Sequence, residues 1–174
     1  ASIFKTITAA AAVEKGGLTP KSLLKTYGKN HTLYQYQLEE KLPNYREITF
    51  SESFAYSINP VFGRLGIFTI GSDGLSEYAR KFGFRDAVPF ELNTERNNFL
   101  EPDTAFAAAE LASGFNQKTT ISPLYGACLA SSISENGKMM KPYLIDSVTD
   151  AGSGKSVYRG SPSIWRRPVT EKTA

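Results

Sequence analysis

The chain has 174 residues, a formal net charge of +3, 41% hydrophobic residues and 21% charged residues. This composition indicates a folded domain or a piece of one, and the scattered Lys and Arg residues argue against a nucleic-acid partner. No apolar stretch reaches membrane-spanning length and no signal peptide is visible, so a membrane contact would need an anchor outside this chain. Because the first residue is not Met, we expect a fragment of a longer protein.

The single Cys and the single His restrict the chemistry that the chain can carry. One Cys excludes an internal disulfide and a cysteine-based metal site, and one His leaves little from which to build a zinc site or a Ser–His triad. A nucleophile in this chain would therefore need a base other than histidine, and lysine is the candidate.

The first 45 residues are predicted to hold two helices and an irregular segment. The alanine run at 9–12 favours a helix over residues 2–15, ended by the glycine pair 16–17. Thr19 and Pro20 predict the start of a short second helix. Residues 28–45 are polar and aromatic, and the weak alternation in "TLYQYQL" leaves a strand there as one possibility.

Three helices are predicted next. The first is short and begins near Ser51, and the second begins at Pro60 and runs to about Ile70. The third is the amphipathic segment "SDGLSEYARKFGF", whose apolar residues recur on one helical face until Gly83 ends it.

The remainder is predicted as loop, helix, helix, hairpin and a final helix start. The segments, in order, are a loop at 89–101, a helix capped by Asp103 and ended by Gly114, a helix from Ser122 to 136–137, a hairpin over about 139–159, and a helix capped by Thr170. The total of about seven helices and one hairpin supplies no central strands for a large sheet.

Ser2 and Lys5 are the first candidate site. Residues three apart lie on the same helical face, so the amine of Lys5 can reach the hydroxyl of Ser2. Serine needs a base to become a nucleophile, and lysine serves as one when desolvation or a nearby cation lowers its pKa. The spacing alone is common, and an ordinary amphipathic helix start is the alternative interpretation.

Ser57 and Asn59 are the second candidate site, in the connection between two predicted helices. Side chains two apart on such a connection can point into one cleft, where a hydroxyl relays a proton and an amide binds a carbonyl. The alternative interpretation is that Asn59 caps the helix that starts at Pro60.

Ser-x-x-Lys followed by Ser-x-Asn resembles the transpeptidase domain of bacterial penicillin-binding proteins. The resemblance covers nearly the whole chain in order and in approximate spacing. It is carried by the segments "SIFKTITAAAAVEKG", "SESFAYSINPVFGRLG", "EYARKFGF" and "SGFNQKTTISPLYGACLASSISENGKMMKPYLI".

The resemblance implies a role for each matching residue. Ser2 would be the acylated nucleophile, Lys5 would take its proton, Ser57 would relay a proton to the leaving amine, and Asn59 would hold the substrate carbonyl. The implied partners are peptidoglycan stem peptides that end in D-Ala-D-Ala and β-lactam antibiotics, on the extracytoplasmic side of the bacterial membrane. The family needs no metal and no organic cofactor.

The sequence departs from the family pattern at its third motif. No Lys-Thr-Gly is present, because "EKTA" at 171–174 has Ala in place of Gly, and the family's central sheet is largely absent from this chain. Ala1 also stands where the family usually has Gly. We therefore expect little or no turnover from this chain alone.

The predicted fold is mainly α with one β-hairpin, the helical subdomain of the α+β fold that penicillin-binding proteins share with serine β-lactamases. Residues 1–174 form part of one transpeptidase domain, with the helical part at about 1–137, the hairpin at about 139–159 and the start of a final helix at about 170–174. The predicted function is peptidoglycan D,D-transpeptidation. The alternative is a non-catalytic or sensory relative that binds β-lactams or peptidoglycan.

Overall fold

Helix α1 is the central element of the computed structural model, which describes residues 2–41 and 44–174. Six α-helices and six short strands follow one another along these residues, with a 3-10 turn at Gln35–Gln37 and a π-helical turn at Gly66–Ile70. The helices are α1 (Phe4–Gly16), α2 (Phe50–Ala55), α3 (Asn59–Leu65), α4 (Gly71–Lys81), α5 (Ala105–Ser113) and α6 (Pro123–Ser134). The strands are β1 (Leu23–Thr26), β2 (Arg46–Thr49), β3 (Met139–Lys141), β4 (Ser147–Thr149), β5 (Ser156–Arg159) and β6 (Ser163–Arg166).

The core forms around the buried side of α1. Phe4 and Ile7 are fully buried, and the small side chains of residues 10–12 allow α4 and α5 to pack closely against the helix. The hydroxyl of Thr8 donates a hydrogen bond to the main-chain carbonyl of Ala112 at 2.7 Å. That bond fixes the position of α1 along α5.

Most of the predicted helices are confirmed, including the first one, which begins at Phe4, two residues later than predicted, and ends at Gly16 with Gly17 as its C-cap. Five later predictions correspond to α2, α3, α4, α5 and α6, and Ser122 caps α6 as expected by accepting from the Tyr125 amide. The predicted cap of α5 was wrong by one residue. Thr104, in place of Asp103, accepts a hydrogen bond from the amide of Ala107.

The end of α3 lies unusually close to α5. A Cβ atom at Gly66 would lie 2.5 Å from the Cβ of Ala112 and 3.0 Å from the carbonyl oxygen of Ala108. Because Gly66 has an ordinary right-handed conformation, the space and not the backbone angle requires glycine here. This close approach holds α3, which begins at Asn59, against the helix that packs on α1.

We expect Gly66→Ala to lower the free energy of unfolding by about 1–3 kcal/mol, because the added methyl group overpacks the α3–α5 contact. Gly126→Ala in α6 is the matched control, since its Cβ would have no neighbour nearer than 3.9 Å. That change should be neutral or stabilising by up to about 1 kcal/mol. Urea unfolding of both variants checks the prediction, and an unchanged midpoint for Gly66→Ala would contradict it.

The short helix predicted at Thr19 and Pro20 was wrong. The chain makes a turn there, closed by a hydrogen bond from the Ser22 amide to the Thr19 carbonyl, and enters β1. β1 pairs antiparallel with β2, which was not predicted. The possible strand in "TLYQYQL" is a 3-10 turn instead. The pairing of β1 with β2, more than 20 residues further along the chain, outweighs the local preference for a helix start at Thr19 and Pro20.

The predicted C-terminal hairpin is confirmed only in part. β4 and β5 pair as expected around the turn at 150–154. β3 pairs instead with β6, a strand that was not predicted, and Met139 in β3 is fully buried. In the described part of the chain the strands therefore form three separate antiparallel pairs, and the mainly helical class is confirmed.

The final helix predicted at Thr170 is a hydrogen-bonded turn in the structure. The Glu14 carboxylate, near the end of α1, accepts hydrogen bonds from the Thr170 amide at 2.9 Å, the Thr173 hydroxyl at 3.0 Å and the Tyr78 hydroxyl at 2.6 Å. Burial alone would raise the pKa of Glu14, but these three donors hold that pKa below its ordinary value. Contact with α1 thus positions this turn.

Candidate active site

The turn that leads into α1 places Ser2, just before the helix, beside Lys5 in its first turn. The Lys5 amide donates to the Ser2 carbonyl at 3.0 Å, and the Lys5 amine lies 3.2 Å from the Ser2 hydroxyl oxygen. Ser2 is exposed, whereas Lys5 is only 2% exposed. The nucleophile candidate therefore faces solvent while its candidate base is desolvated. Ala1 lies outside the described residues.

The connection between α2 and α3 brings Asn59 to the same amine. Lys5 Nζ donates to Asn59 Oδ1 at 2.8 Å, although 54 residues separate the two in the sequence. The alternative role of Asn59 as a side-chain cap is not observed, because Ile58 is the N-cap of α3 and makes no side-chain capping bond. The Asn59 amide oxygen is directed at Lys5 instead.

Ser57 lies two residues before Asn59 in a left-handed conformation, with φ of 52°. Such a conformation is uncommon for a residue other than glycine. Hydrogen bonds from the Ser57 amide to Phe54 O and from the Ile58 amide to Ser53 O hold the turn. Ser57 is half-buried, and within residues 2–41 and 44–174 it is not among the hydrogen-bond partners of the Lys5 amine.

A third partner of Lys5 was missed by the sequence analysis. Lys5 Nζ donates to the main-chain carbonyl of Ser113 at 2.6 Å. Ser113 is the last residue of α5, where carbonyl groups lack a partner within the helix, and Gly114 ends the helix. The Ser-Gly pair marks the helix end in the sequence, but no local pattern shows that this end meets Lys5, 108 residues away.

The three partners determine what the amine can do. Burial lowers the pKa of Lys5 from 10.5 to about 8. The Asn59 and Ser113 oxygens can only accept, so they retain two N–H groups of the lysine in either protonation state. When Lys5 is neutral, its lone pair must therefore point in the third direction, toward Ser2. The amine is thus oriented to take the Ser2 proton.

The described residues contain neither a metal-ligating cluster nor a membrane-spanning helix. Across 2–41 and 44–174, no group of three or more His, Cys, Asp or Glu side chains is placed to hold a metal ion. The helices in those ranges are all too short or too polar to cross a membrane.

Comparison with known proteins identifies the family to which the chain is similar. Residues 1–174 match the family described as the penicillin binding protein transpeptidase domain. The chain is 27% identical to stage V sporulation protein D of Bacillus subtilis and 28% identical to the peptidoglycan D,D-transpeptidase PbpA of Mycolicibacterium smegmatis. In both cases 99% of this chain is covered, but only 27% and 36% of those proteins.

Solved structures give the same result for the fold. Penicillin-binding protein A from M. tuberculosis superposes with a TM-score of 0.81 at 27% identity, covering 99% of this chain and 39% of that one. Its ceftriaxone acyl-enzyme complex gives a TM-score of 0.80 at 26% identity, with the same coverage. Similarity over the full length of the chain, in sequence and in fold, shows that it belongs to the penicillin-binding protein transpeptidase family.

Proposed function

We propose that this chain is the nucleophile-bearing helical part of a peptidoglycan D,D-transpeptidase. The observation that carries the proposal is the set of three contacts around the Lys5 amine. Two carbonyl-type acceptors occupy the other directions of the amine, which leaves Ser2 Oγ, at 3.2 Å, as the group from which neutral Lys5 takes a proton. The family supplies the substrate class, a stem peptide ending in D-Ala-D-Ala.

In the acylation step, Lys5 accepts the Ser2 proton while Ser2 Oγ bonds to the carbonyl carbon of the penultimate D-Ala. The peptide C–N bond then breaks, and the terminal D-Ala amine leaves after receiving a proton through the Ser57 hydroxyl. Asn59 offers its amide N–H₂ to the substrate, because its Oδ1 is already bound by Lys5.

In the transfer step, the amine of a second stem peptide attacks the ester carbon of the acyl-enzyme. The new C–N bond replaces the C–Oγ bond, the amine loses a proton to the lysine, and Ser2 recovers its hydroxyl proton. A β-lactam would be attacked in the same way, with its ring C–N bond opening. Because peptidoglycan lies outside the cytoplasmic membrane, we place this activity there.

The test is intact-protein mass spectrometry after incubation with a labelled penicillin. We expect a stoichiometric adduct on a chain extended through a Lys-Thr-Gly strand, and no adduct on the same chain carrying Ser2→Ala. The 174-residue chain itself should form little or none, because in the family the Lys-Thr-Gly strand supplies one of the two oxyanion N–H donors, and the loss of one such donor costs on the order of 10²–10³ in rate.

The outcomes are distinct. An adduct on the extended chain that survives Ser2→Ala would contradict the assignment of the nucleophile. No adduct on the extended chain would favour the non-catalytic relative. A full adduct on the 174-residue chain would show that the third motif is not required for acylation.

A further inference from the structure

A buried glutamine organises the segment that contacts the Ser57–Asn59 connection. Gln37 has no exposed surface and lies in the 3-10 turn after the loop formed by residues 27–34, called here the 27–34 loop. Its amide N–H₂ donates to the carbonyls of Tyr27 at 2.8 Å and Lys29 at 3.2 Å. Its amide oxygen accepts from the Tyr34 amide at 2.9 Å and lies 3.1 Å from the Thr32 hydroxyl, whose single hydrogen is shared between Gln37 and the Lys29 carbonyl at 3.0 Å.

These contacts use both donors of the side-chain amide and engage its oxygen as an acceptor. Two main-chain carbonyls can only accept, and the main-chain N–H of Tyr34 can only donate, so the orientation of the Gln37 amide is fixed. One side chain therefore closes the 27–34 loop from within. No shorter or purely apolar side chain can make the same set of contacts.

The outer side of the 27–34 loop contacts the connection that carries Ser57 and Asn59. The carbonyl of Asn30 accepts a hydrogen bond from the main-chain amide of Asn59 at 2.7 Å. Nε2 of His31 lies 3.1 Å from the carbonyl of Tyr56, and because that carbonyl can only accept, Nε2 carries the hydrogen. The loop thus contacts the residue before Ser57 and the residue that binds Lys5.

The contact with Asn59 replaces a missing helix cap. The first amides of a helix have no partner within it, and the N-cap residue Ile58 supplies no side-chain acceptor. The Asn30 carbonyl satisfies the Asn59 amide from outside. The position of Asn59, and with it the 2.8 Å bond from Lys5, therefore depends on where the 27–34 loop places Asn30.

We propose that Gln37 is a positioning residue for acyl transfer, which acts through the Asn30 carbonyl on Asn59 and through it on Lys5. The inference rests on the proposed function. Gln37 touches none of the reacting groups, and its contribution is to fix the 27–34 loop by donating to the main-chain carbonyls of Tyr27 and Lys29. A displacement of about 1 Å at a reacting group can cost about 100-fold in rate, so a remote loop can have a large effect.

The test is a double-mutant cycle on the second-order rate of β-lactam acylation, in the chain extended through a Lys-Thr-Gly strand. Gln37→Ala should lower that rate about 10- to 100-fold. In the Asn59→Ala background the same change should cost less than about 3-fold, because the group through which Gln37 acts is already gone. Equal losses in the two backgrounds would overturn the proposal.

Asn97→Ala is the matched control. Asn97 is also a buried side-chain amide, 1% exposed, but its oxygen accepts from the Ser122 amide at the start of α6, away from Lys5. We expect it to lose stability without losing more than about 3-fold in acylation rate. A loss equal to that of Gln37→Ala would show that the effect is general destabilisation, and the proposal would fail.

Gly28→Ala tests the same contact if Gln37→Ala does not fold. Gly28 has φ of 75°, and a Cβ there would lie 2.8 Å from the Gln37 amide nitrogen, so alanine should displace that amide and lower the acylation rate in the same range. A folded Gly28→Ala chain with the parent rate would overturn the proposal. If the parent chain forms no adduct, the proposed function fails and this inference fails with it, whereas a parent that reacts normally isolates the role of Gln37.

Discussion

Lys5→Met is expected to slow acylation by β-lactams by at least about 100-fold while the protein stays folded. Methionine fills the space of the lysine stem, but its thioether sulfur is far too weak a base to take the Ser2 proton, which Lys5 Nζ can reach at 3.2 Å. General-base assistance contributes about 10²–10⁴-fold to such reactions, and the loss should fall in that range. The measurement is the rate of adduct formation on the chain extended through a Lys-Thr-Gly strand.

The matched control lies on the same helix. Lys15 is at the far end of α1, with 40% of its side chain exposed, and pairs with Glu77 at 2.8 Å. An exposed pair of this kind contributes at most about 1 kcal/mol, so Lys15→Met should leave the acylation rate unchanged. Lys5→Met with a rate within about 3-fold of the parent would contradict the assignment of Lys5 as the base.

The stability of Lys5→Met separates chemistry from folding. The substitution leaves the Asn59 and Ser113 oxygens without their donor, which is destabilising, but it also removes the cost of burying an amine. These effects oppose each other, so the urea midpoint should move far less than the acylation rate. A large rate loss at an almost unchanged midpoint identifies a catalytic and not a structural role.

The parts of the fold that depend on local signals were predictable from the sequence. The alanine run and the glycine pair fix α1, and the Ser122-Pro123 start fixes α6, because capping and helix propensity act over a few residues. The i, i+3 spacing also places Lys5 against Ser2. These features need no knowledge of the rest of the chain.

The parts that depend on distant contacts were not predictable in this way. Pro20 favours a helix start, yet the segment pairs with residues near Phe50, and β6 pairs with a strand more than 20 residues earlier. Local propensity is a weak prior that such pairing overrides.

The candidate site depends partly on local sequence signals and partly on contacts between distant segments. Asn59 was a candidate from its place between two predicted helices, but nothing in its own neighbourhood indicates a contact with Lys5 across 54 residues. The Ser113 carbonyl was missed because main-chain groups leave no signature in the amino-acid sequence. Its position depends on the packing of α5 against α1, where Thr8 bonds to Ala112.

The acylation rate is expected to rise with pH through an inflection near 8, the pKa to which burial lowers Lys5. Below pH 8 the rate should fall about tenfold per unit as the neutral amine becomes scarce. At pH 7 a lysine of pKa 8 is about 10% neutral, roughly 300 times more than a lysine of pKa 10.5. A profile that is flat between pH 6 and 9, or that rises only above pH 10, would contradict a desolvated Lys5 base.

The lowered pKa of Lys5 also makes the free energy of unfolding depend on pH. The folded protein releases the Lys5 proton near pH 8, whereas the unfolded chain keeps it to about pH 10.5. Between these values the unfolded state binds more protons, so this group makes the protein more stable as pH rises, by about 3 kcal/mol over the whole window. Lys5→Met should lack this rise, so the difference between its urea midpoint and that of the parent, measured at pH 7, 8 and 9, isolates the contribution of Lys5. If the difference between the two urea midpoints does not change with pH, the Lys5 amine keeps its ordinary pKa in the folded protein. The inflection in the acylation rate would then have to come from another group.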